Sequence, residues 1–179
     1  RLILTPGVRY EHARMEYADG VSGVERETVA EQWLPGLSAG YQLTDQWFVY
    51  ANAQRSLRVP QITSIVKDGD VAAELAWNYE SGVRYTPWNG LRVDLGLYRI
   101  DFKDQIEYNS RTTRFENLGS TRHQGIETEL FWTPAALPDL DLHAGYAYLD
   151  SEQRSGAFKG NEVPFASAHQ LTLDGRYRF

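Results

Sequence analysis

The sequence predicts an all-β fold: an antiparallel, up-and-down transmembrane β-barrel segment of about eight strands. Three observations carry that expectation. Apolar residues recur with period 2 along most of the chain, and helical spacing is hard to find. Short connections with turn chemistry alternate with longer polar ones. Aromatic side chains cluster beside the short connections, and rings with a polar edge favour the headgroup level of a bilayer.

Each element follows from its alternation. In "RLILTPGVRYEH", Leu2, Leu4, Val8 and Tyr10 alternate against Arg1, Thr5, Arg9 and Glu11. In "EQWLPGLSAGYQL", Trp33, Leu37, Ala39, Tyr41 and Leu43 alternate against Gly36, Ser38, Gly40 and Gln42. "QWFVYANAQRS" is a third strand whose phase the pattern leaves open. "ELAWNYESGVRY" sets Leu75, Trp77, Tyr79, Val83 and Tyr85 against Glu74, Asn78, Glu80, Gly82 and Arg84. "LRVDLGLYRIDF" alternates from Leu91 to Leu97 and then changes phase, which places a bulge near Tyr98–Arg99. In "TRHQGIETELFW", Ile126, Thr128, Leu130 and Trp132 share one face, and Gly125, Glu127, Glu129 and Phe131 the other. "LDLHAGYAYLD" and "HQLTLDGRYRF" close the series with Leu140, Leu142, Ala144, Tyr146 and Tyr148, then Leu171, Leu173, Tyr177 and Phe179. Each run is near the 9–11 residues that a tilted membrane strand needs.

The short connections are 44–46, 86–90 and 133–139; the long ones are roughly 18–30, 56–73 and 151–167. That alternation is expected of a meander whose two ends face different compartments. Tyr41, Trp47, Tyr85, Trp88, Trp132, Tyr177 and Phe179 lie beside the short turns and read as an interfacial girdle. A soluble β-sandwich alternates in the same way, but its second face would be apolar, whereas here it is Gly, Ser, Asn, Glu, Asp and Arg. The expected solvents are therefore lipid for Ile126–Trp132 and water for Glu127 and Glu129.

Composition narrows the partners. A mean hydropathy of −0.49 accompanies 13% aromatic residues, five Trp and eleven Tyr among them. The net charge of −6 disfavours nucleic acid, and the lack of Cys excludes disulfides and thiolate metal sites. No apolar run approaches the ~20 residues of a transmembrane helix. The chain opens at Arg1 inside a strand-like stretch, as a cut would leave it.

Several stretches resemble a known family. "WNYESGVRYTPWNGLRVDLGLYRIDFKDQIEY" is similar to the segment of TonB-dependent outer-membrane transporters that pairs an "NYE.G" strand with a long hairpin partner. "NLGSTRHQGIETELFW" resembles the strand that follows it in the same family. "YAYLDSEQRSGAFKGNEVPFASAHQLTLDGRYRF" resembles the next hairpin, and "FVYANAQRSLRVP" fits the preceding one less specifically. Within the family, the likeness is greatest to the ferric citrate (ferric dicitrate) branch. The resemblance implies a plugged barrel of about 22 strands, of which this chain is roughly a third, from the carboxy-terminal half. The whole chain, 1–179, would be barrel, with the plug domain and the final strands lying outside it. It further implies a receptor in the outer membrane of a Gram-negative bacterium that imports a ferric chelate or siderophore. Energy would come from the TonB–ExbB–ExbD system through the plug, and lipid and lipopolysaccharide would surround the barrel.

Arginine is the side chain expected to hold an anionic chelate, because its planar, permanently charged fork matches carboxylates. Arg55, Arg58, Arg111, Arg114 and Arg122 lie near predicted outer ends. In the ferric citrate branch a glutamine near the outer tip of the strand after "DFKDQ" contacts the ligand. The matching position here is Ser110, followed by Arg111, and this departure leaves the chelate open. The ligand-binding candidates are thus Ser110, Arg111, Arg114, Arg55 and Arg58, with no catalytic residue, metal ligand or cofactor called for. Glu127 and Glu129, some 7 Å apart along the strand, are expected to pair with arginines of neighbouring strands or of the plug. The alternatives are a self-contained small structural or adhesion barrel, favoured by the aromatic Tyr177 and Phe179 at the end, and a barrel enzyme using His123 with Asp101 or Ser120. The four histidines are dispersed, with no metal-binding spacing.

Overall fold

The computed structural model describes residues 1–18, 20, 23, 25–60, 71–109, 112–117, 119–156, 158–164 and 166–179. These form ten strands: β1 (Leu2–Ala18), β2 (Glu25–Gln42), β3 (Trp47–Arg58), β4 (Glu74–Trp88), β5 (Leu91–Lys103), β6 (Ile106–Asn109), β7 (Arg114–Asn117), β8 (Thr121–Trp132), β9 (Leu140–Gln153) and β10 (His169–Tyr177). Eight of them make one antiparallel sheet in the order β1-β2-β3-β4-β5-β8-β9-β10, with β6 and β7 as a separate two-stranded hairpin inserted between β5 and β8. The chain-order meander is as expected. β1 and β10 are the two edges of the sheet, so the segment is an open arc of barrel wall.

Strand partners share a face, and the register therefore sorts every side chain. One row runs Trp47, Tyr85, Val93, Leu130, Ala144, Leu173; the next outward-facing row runs Tyr41, Val49, Val83, Leu95, Thr128, Tyr146, Leu171. Leu171 and Leu173 are each 70% exposed, although apolar surface of that extent is uncompensated in water. Among the described residues the buried apolar ones are few: Ala30, Leu34, Pro60, Val71, Ala76, Ile106 and Val163. A sandwich would have buried the leucines of these rows, so the arrangement fits only an outward face that meets lipid. β3, whose phase the sequence left open, puts Trp47, Val49, Ala51 and Ala53 outward and Phe48, Tyr50, Asn52 and Gln54 inward.

Aromatics border this belt at both ends. At the short-turn end Trp47 stacks on Tyr85 (4.1 Å between centroids) and Tyr177 meets Phe179 edge-on (5.1 Å). At the far end Tyr10 lies against Trp33 (4.8 Å), Trp77 against Tyr79 (6.0 Å) and Tyr148 against His169 (5.2 Å). The first ring matches expectation; the second was not anticipated.

Two features differ from those read in the sequence. The connection read as 18–30 is largely strand, because β1 runs to Ala18 and β2 starts at Glu25. No bulge occurs at Tyr98–Arg99: β5 keeps its register against β4 from Val93 to Lys103. The irregularity lies between Tyr85 and Trp88, where Pro87 has no N–H for a ladder. The turn that follows places Gly90 at φ 93°, which a β-carbon would oppose. Proline also explains where β2 leaves β3. Their pairing ends at Gly36–Gln54, next to Pro35, while β2 continues against β1 alone to Glu25.

Candidate functional site

The inward face is a polar wall organised by cross-strand partners. Arg84 donates to Asp94 at 2.7 Å, and Arg92 lies 3.1 Å from the same carboxylate. That charge balance matters because Asp94 sits directly opposite Glu129, a like-charge pair that would otherwise destabilise the sheet. Glu129 is matched in turn by His143, which stacks on Phe131 at 4.7 Å and reaches Asp174 at 2.7 Å. The Arg92 guanidinium covers the Phe131 ring at 4.0 Å. Nearby, Tyr50 and Asn52 donate to Glu80 at 3.0 and 2.8 Å. The expected arginine partner of Glu129 is therefore a histidine. Glu127, between Gly96 and Ala147, has no ion pair among the described residues. Tyr98 lies across Gly125, where a β-carbon would come 2.7 Å from the phenolic oxygen; the missing side chain makes room for the ring.

Above this wall the outer end has a small core of its own. Glu74, only 5% exposed, accepts the Ile106 N–H at 2.8 Å, and Arg58 approaches it at 3.6 Å. Asn117 donates to the carbonyls of Asp104 (2.6 Å) and Ala72 (3.1 Å) and accepts the Ala72 N–H (2.9 Å). The buried Thr121 hydroxyl bonds to Gln105, which also meets the His123 ring at 3.3 Å. These contacts pin the β6–β7 hairpin across the outer ends of β4, β5 and β8. Within the hairpin, Tyr108 packs edge-on against Phe115 at 5.4 Å. The Thr112 hydroxyl (2.6 Å) and the Asn109 amide (2.8 Å) donate to Glu116 and hold its carboxyl below the usual range.

The sequence-derived candidates separate in this frame. Arg58 lies on the inward face at the outer end of β3, paired with Glu74. Arg114 opens β7, opposite Asn109 and exposed. Arg55 falls on the outward face, opposite Trp77. Ser110 and Arg111 lie outside the described residues. Asp101 and His123, considered as an enzyme pair, point to opposite faces: Asp101 outward to Arg99 and Arg122, His123 inward to Gln105. Glu74, Gln105 and Thr121 were not singled out from sequence, and their types give no signal by themselves. Among the described residues no group of His, Asp and Glu is arranged to hold a metal ion.

Residues 1–179 match the family model "TonB dependent receptor-like, beta-barrel". The chain is similar to the pesticin receptor of Yersinia pestis, 28% identical over 190 residues and covering 96% of this chain and 28% of that one. It is similar also to the iron-regulated outer membrane virulence protein of Vibrio cholerae, 24% identical over 160 residues, 72% of this chain and 24% of that protein. Among solved structures, the ferric citrate transporter FecA in its unliganded form superposes with a TM-score of 0.76 at 34% identity, over 98% of this chain and 28% of its own. The ferric yersiniabactin uptake receptor FyuA of Yersinia pestis superposes at 0.72 with 24% identity, over 98% and 28%, a likeness of fold. The chain thus spans about a quarter of the length of the relatives it matches.

Proposed function

Since the chain belongs to the TonB-dependent receptor β-barrel family over all of residues 1–179, we propose that it is part of an outer-membrane receptor that imports a ferric chelate. The family match carries this reading, and relatives described as receptors and transporters support it over a free-standing adhesion barrel or an enzyme. The chain is barrel wall from end to end; a plug and further strands complete the receptor, and TonB with ExbB and ExbD supplies energy through that plug. Ferric citrate is the first chelate to test, given the 34% identity to the ferric citrate transporter, with anionic siderophores next. The ligand surface is the outer connection around the β6–β7 hairpin, with Arg114 and Arg58 on it and Ser110 and Arg111 following Asn109 in the sequence. Outer-leaflet lipid and lipopolysaccharide surround the barrel.

A charge-assisted contact from Arg111 to an anionic chelate held partly out of water is worth ~1.5–3 kcal/mol. Arg111→Ala in the full-length receptor is then expected to weaken chelate binding roughly 10- to 100-fold while barrel assembly is unaffected. Isothermal titration with ferric citrate and a small siderophore panel measures it. Unchanged affinity for every chelate bound by the wild type would return Arg111 to a solvated loop charge.

A further inference from the structure

We infer that the open outer edge of β2 is a docking site for an extended, basic peptide segment of a protein partner, which adds to the sheet as a further strand. The inference rests on the outer-membrane location proposed above, and on no particular chelate. Between β3 and β9 every ladder of the sheet runs to the outer end: Arg58 pairs with Glu74, Lys103 with Leu75, Phe102 with Thr121 and Thr121 with Gln153. β2 and β3 are the exception. Their pairing stops at Gly36–Gln54, yet β2 continues to Glu25 against β1 and β3 continues to Arg58 against β4. The two strands thus diverge from Pro35 and turn bare edges to each other. A hollow of about 430 Å³ at the apex, lined by Leu34, Pro35, Gln54, Arg55 and Ser56 among others, marks the separation.

Hydrogen bonds fix which groups line the open edge. Arg1 and Gln42 form a fully bonded pair, with the Gln42 N–H donating to the Arg1 carbonyl at 2.9 Å and the Arg1 backbone nitrogen to the Gln42 carbonyl at 3.2 Å. In an antiparallel ladder such pairs recur at every second residue, so the even-numbered residues of β2 turn their backbone groups to β1. The odd-numbered ones turn to β3, as Leu43 does in donating to the Trp47 carbonyl at 2.9 Å. Pro35 has no N–H to give. Beyond it the N–H and C=O groups of Glu27, Val29, Glu31 and Trp33 point into the gap, and those of Arg55 and Leu57 point back from β3. None of them has a backbone partner across the gap among the described residues. Such a row is a template for one more strand.

The side chains beside the edge select the occupant. On the outward side stand Glu27 and Glu31, with Glu16 and Glu25 on the same face against only Arg14 and His12. Arg14 is already held by Glu16 and Glu27 at 2.7 and 3.1 Å, and His12 by Glu31 at 2.8 Å. The row is acidic, so an incoming strand is favoured by lysine or arginine at its outward positions. A second copy of the same edge is disfavoured, because it would bring two acidic rows together. On the inward side the neighbours are Thr28 and the buried Ala30 and Leu34, which suit apolar side chains at the intervening positions. Val29, 49% exposed, leaves the outward approach open. The partner segment therefore alternates basic and apolar residues, with main-chain bonds supplying affinity and the charges selectivity.

The test uses the full-length receptor in detergent and, as probe, a synthetic peptide of alternating lysine and valine as long as the Glu25–Trp33 edge. An alternating glutamate–valine peptide and a lysine–valine peptide N-methylated on its lysine amides, the ones that would face β2, serve as controls. Isothermal titration is expected to show the lysine peptide binding roughly tenfold or more tightly than either control, with the preference over glutamate fading as salt is raised. Residue-resolved amide exchange should find Glu27, Val29, Glu31 and Trp33 slowed by the peptide. Val29→Pro removes an N–H that faces the gap and not β1, and is expected to weaken binding roughly tenfold or more. Slow exchange at Thr28 and Ala30 in that variant shows the hairpin intact. Glu27→Gln with Glu31→Gln is expected to abolish the lysine-over-glutamate preference. A lysine peptide that does not bind, or that binds no better than its controls, would overturn the proposal. So would unchanged binding in Val29→Pro, an unchanged preference in the glutamine variant, or edge amides already protected without peptide. Membrane fractionation of the receptor checks the outer-membrane reading separately.

Discussion

The two halves of β5 obey opposite rules on one unbroken backbone. From Leu91 to Leu97 the outward positions are apolar and the inward ones are Arg92, Asp94 and Gly96; from Arg99 to Lys103 the outward positions are charged and the inward ones are Ile100 and Phe102. Nothing in the ladder changes between them. What changes is the solvent: the outward face leaves lipid for water, and the inward face leaves the water-filled wall for the small core around Ile106 and Gln105. A shift in hydrophobic phase along a barrel strand thus marks the edge of the membrane as readily as it marks a bulge.

The largest effect that can break this comparison belongs to the lower half. Leu130→Arg puts a charge on the lipid side and is expected to cost about 2–4 kcal/mol near the bilayer midplane, whereas Glu129→Gln on the adjacent wall position costs far less. Heat stability of the folded barrel after assembly in outer membranes measures both, and equal tolerance would mean that the faces are reversed. In the upper half the sensitive group is the buried Glu74. Glu74→Ala strands the Ile106 N–H without its acceptor, a loss of about 1–3 kcal/mol that falls on the hairpin and not on the belt. Limited proteolysis should then cut within 104–118 faster, with the barrel's melting unchanged; a lowered barrel melting temperature would show that the outer core supports the wall. Smaller still is the lower ring. Tyr85→Ala removes the stack with Trp47, worth about 0.5–1.5 kcal/mol beyond area, and thermal melting in lipid should fall slightly.

The smallest effect is a pH dependence of the hairpin. Hydrogen bonds from Thr112 and Asn109 depress the Glu116 carboxyl, so its folded form binds a proton less readily than its unfolded one. The stabilisation is complete above the ordinary carboxylate range and disappears as pH falls through the depressed value. The protection factors for amide exchange in Arg114–Asn117, taken against the intrinsic rate at each pH, should fall on acidification, and Glu116→Gln should abolish that fall. An acid-induced fall that persists in the variant would locate the titrating group elsewhere.

The fold was legible wherever two different solvents flank a strand, because the side-chain period of 2 then writes both into the sequence. Ile126, Thr128, Leu130 and Trp132 against Glu127 and Glu129 needed nothing further. Legibility failed where water lies on both sides. Glu27 and Val29 face Glu16 and Arg14 in a paired ribbon, yet without an apolar period residues 18–30 read as a loop. The β6–β7 hairpin was missed for the same reason, and its anchors Glu74, Gln105 and Thr121 act through burial that no local pattern announces. Of the ligand candidates, alternation could have separated Arg55 from Arg58 once the phase of β3 was known, since one faces lipid level and the other the lumen.

The central claim is that β8 crosses from lipid to water on its outward face between Ile126 and Gln124 without changing register. The chain has no Cys, and in a full-length receptor freed of any Cys elsewhere, single cysteines carrying a nitroxide can be placed at Arg122, Gln124, Ile126, Leu130 and Trp132 in lipid bilayers. Power-saturation measurements should find Ile126 and Leu130 relaxed more by oxygen than by a charged nickel chelate, Trp132 near the border, and Gln124 and Arg122 relaxed more by the chelate. Chelate-dominated relaxation at Leu130, or oxygen-dominated relaxation continuing through Arg122, would contradict it.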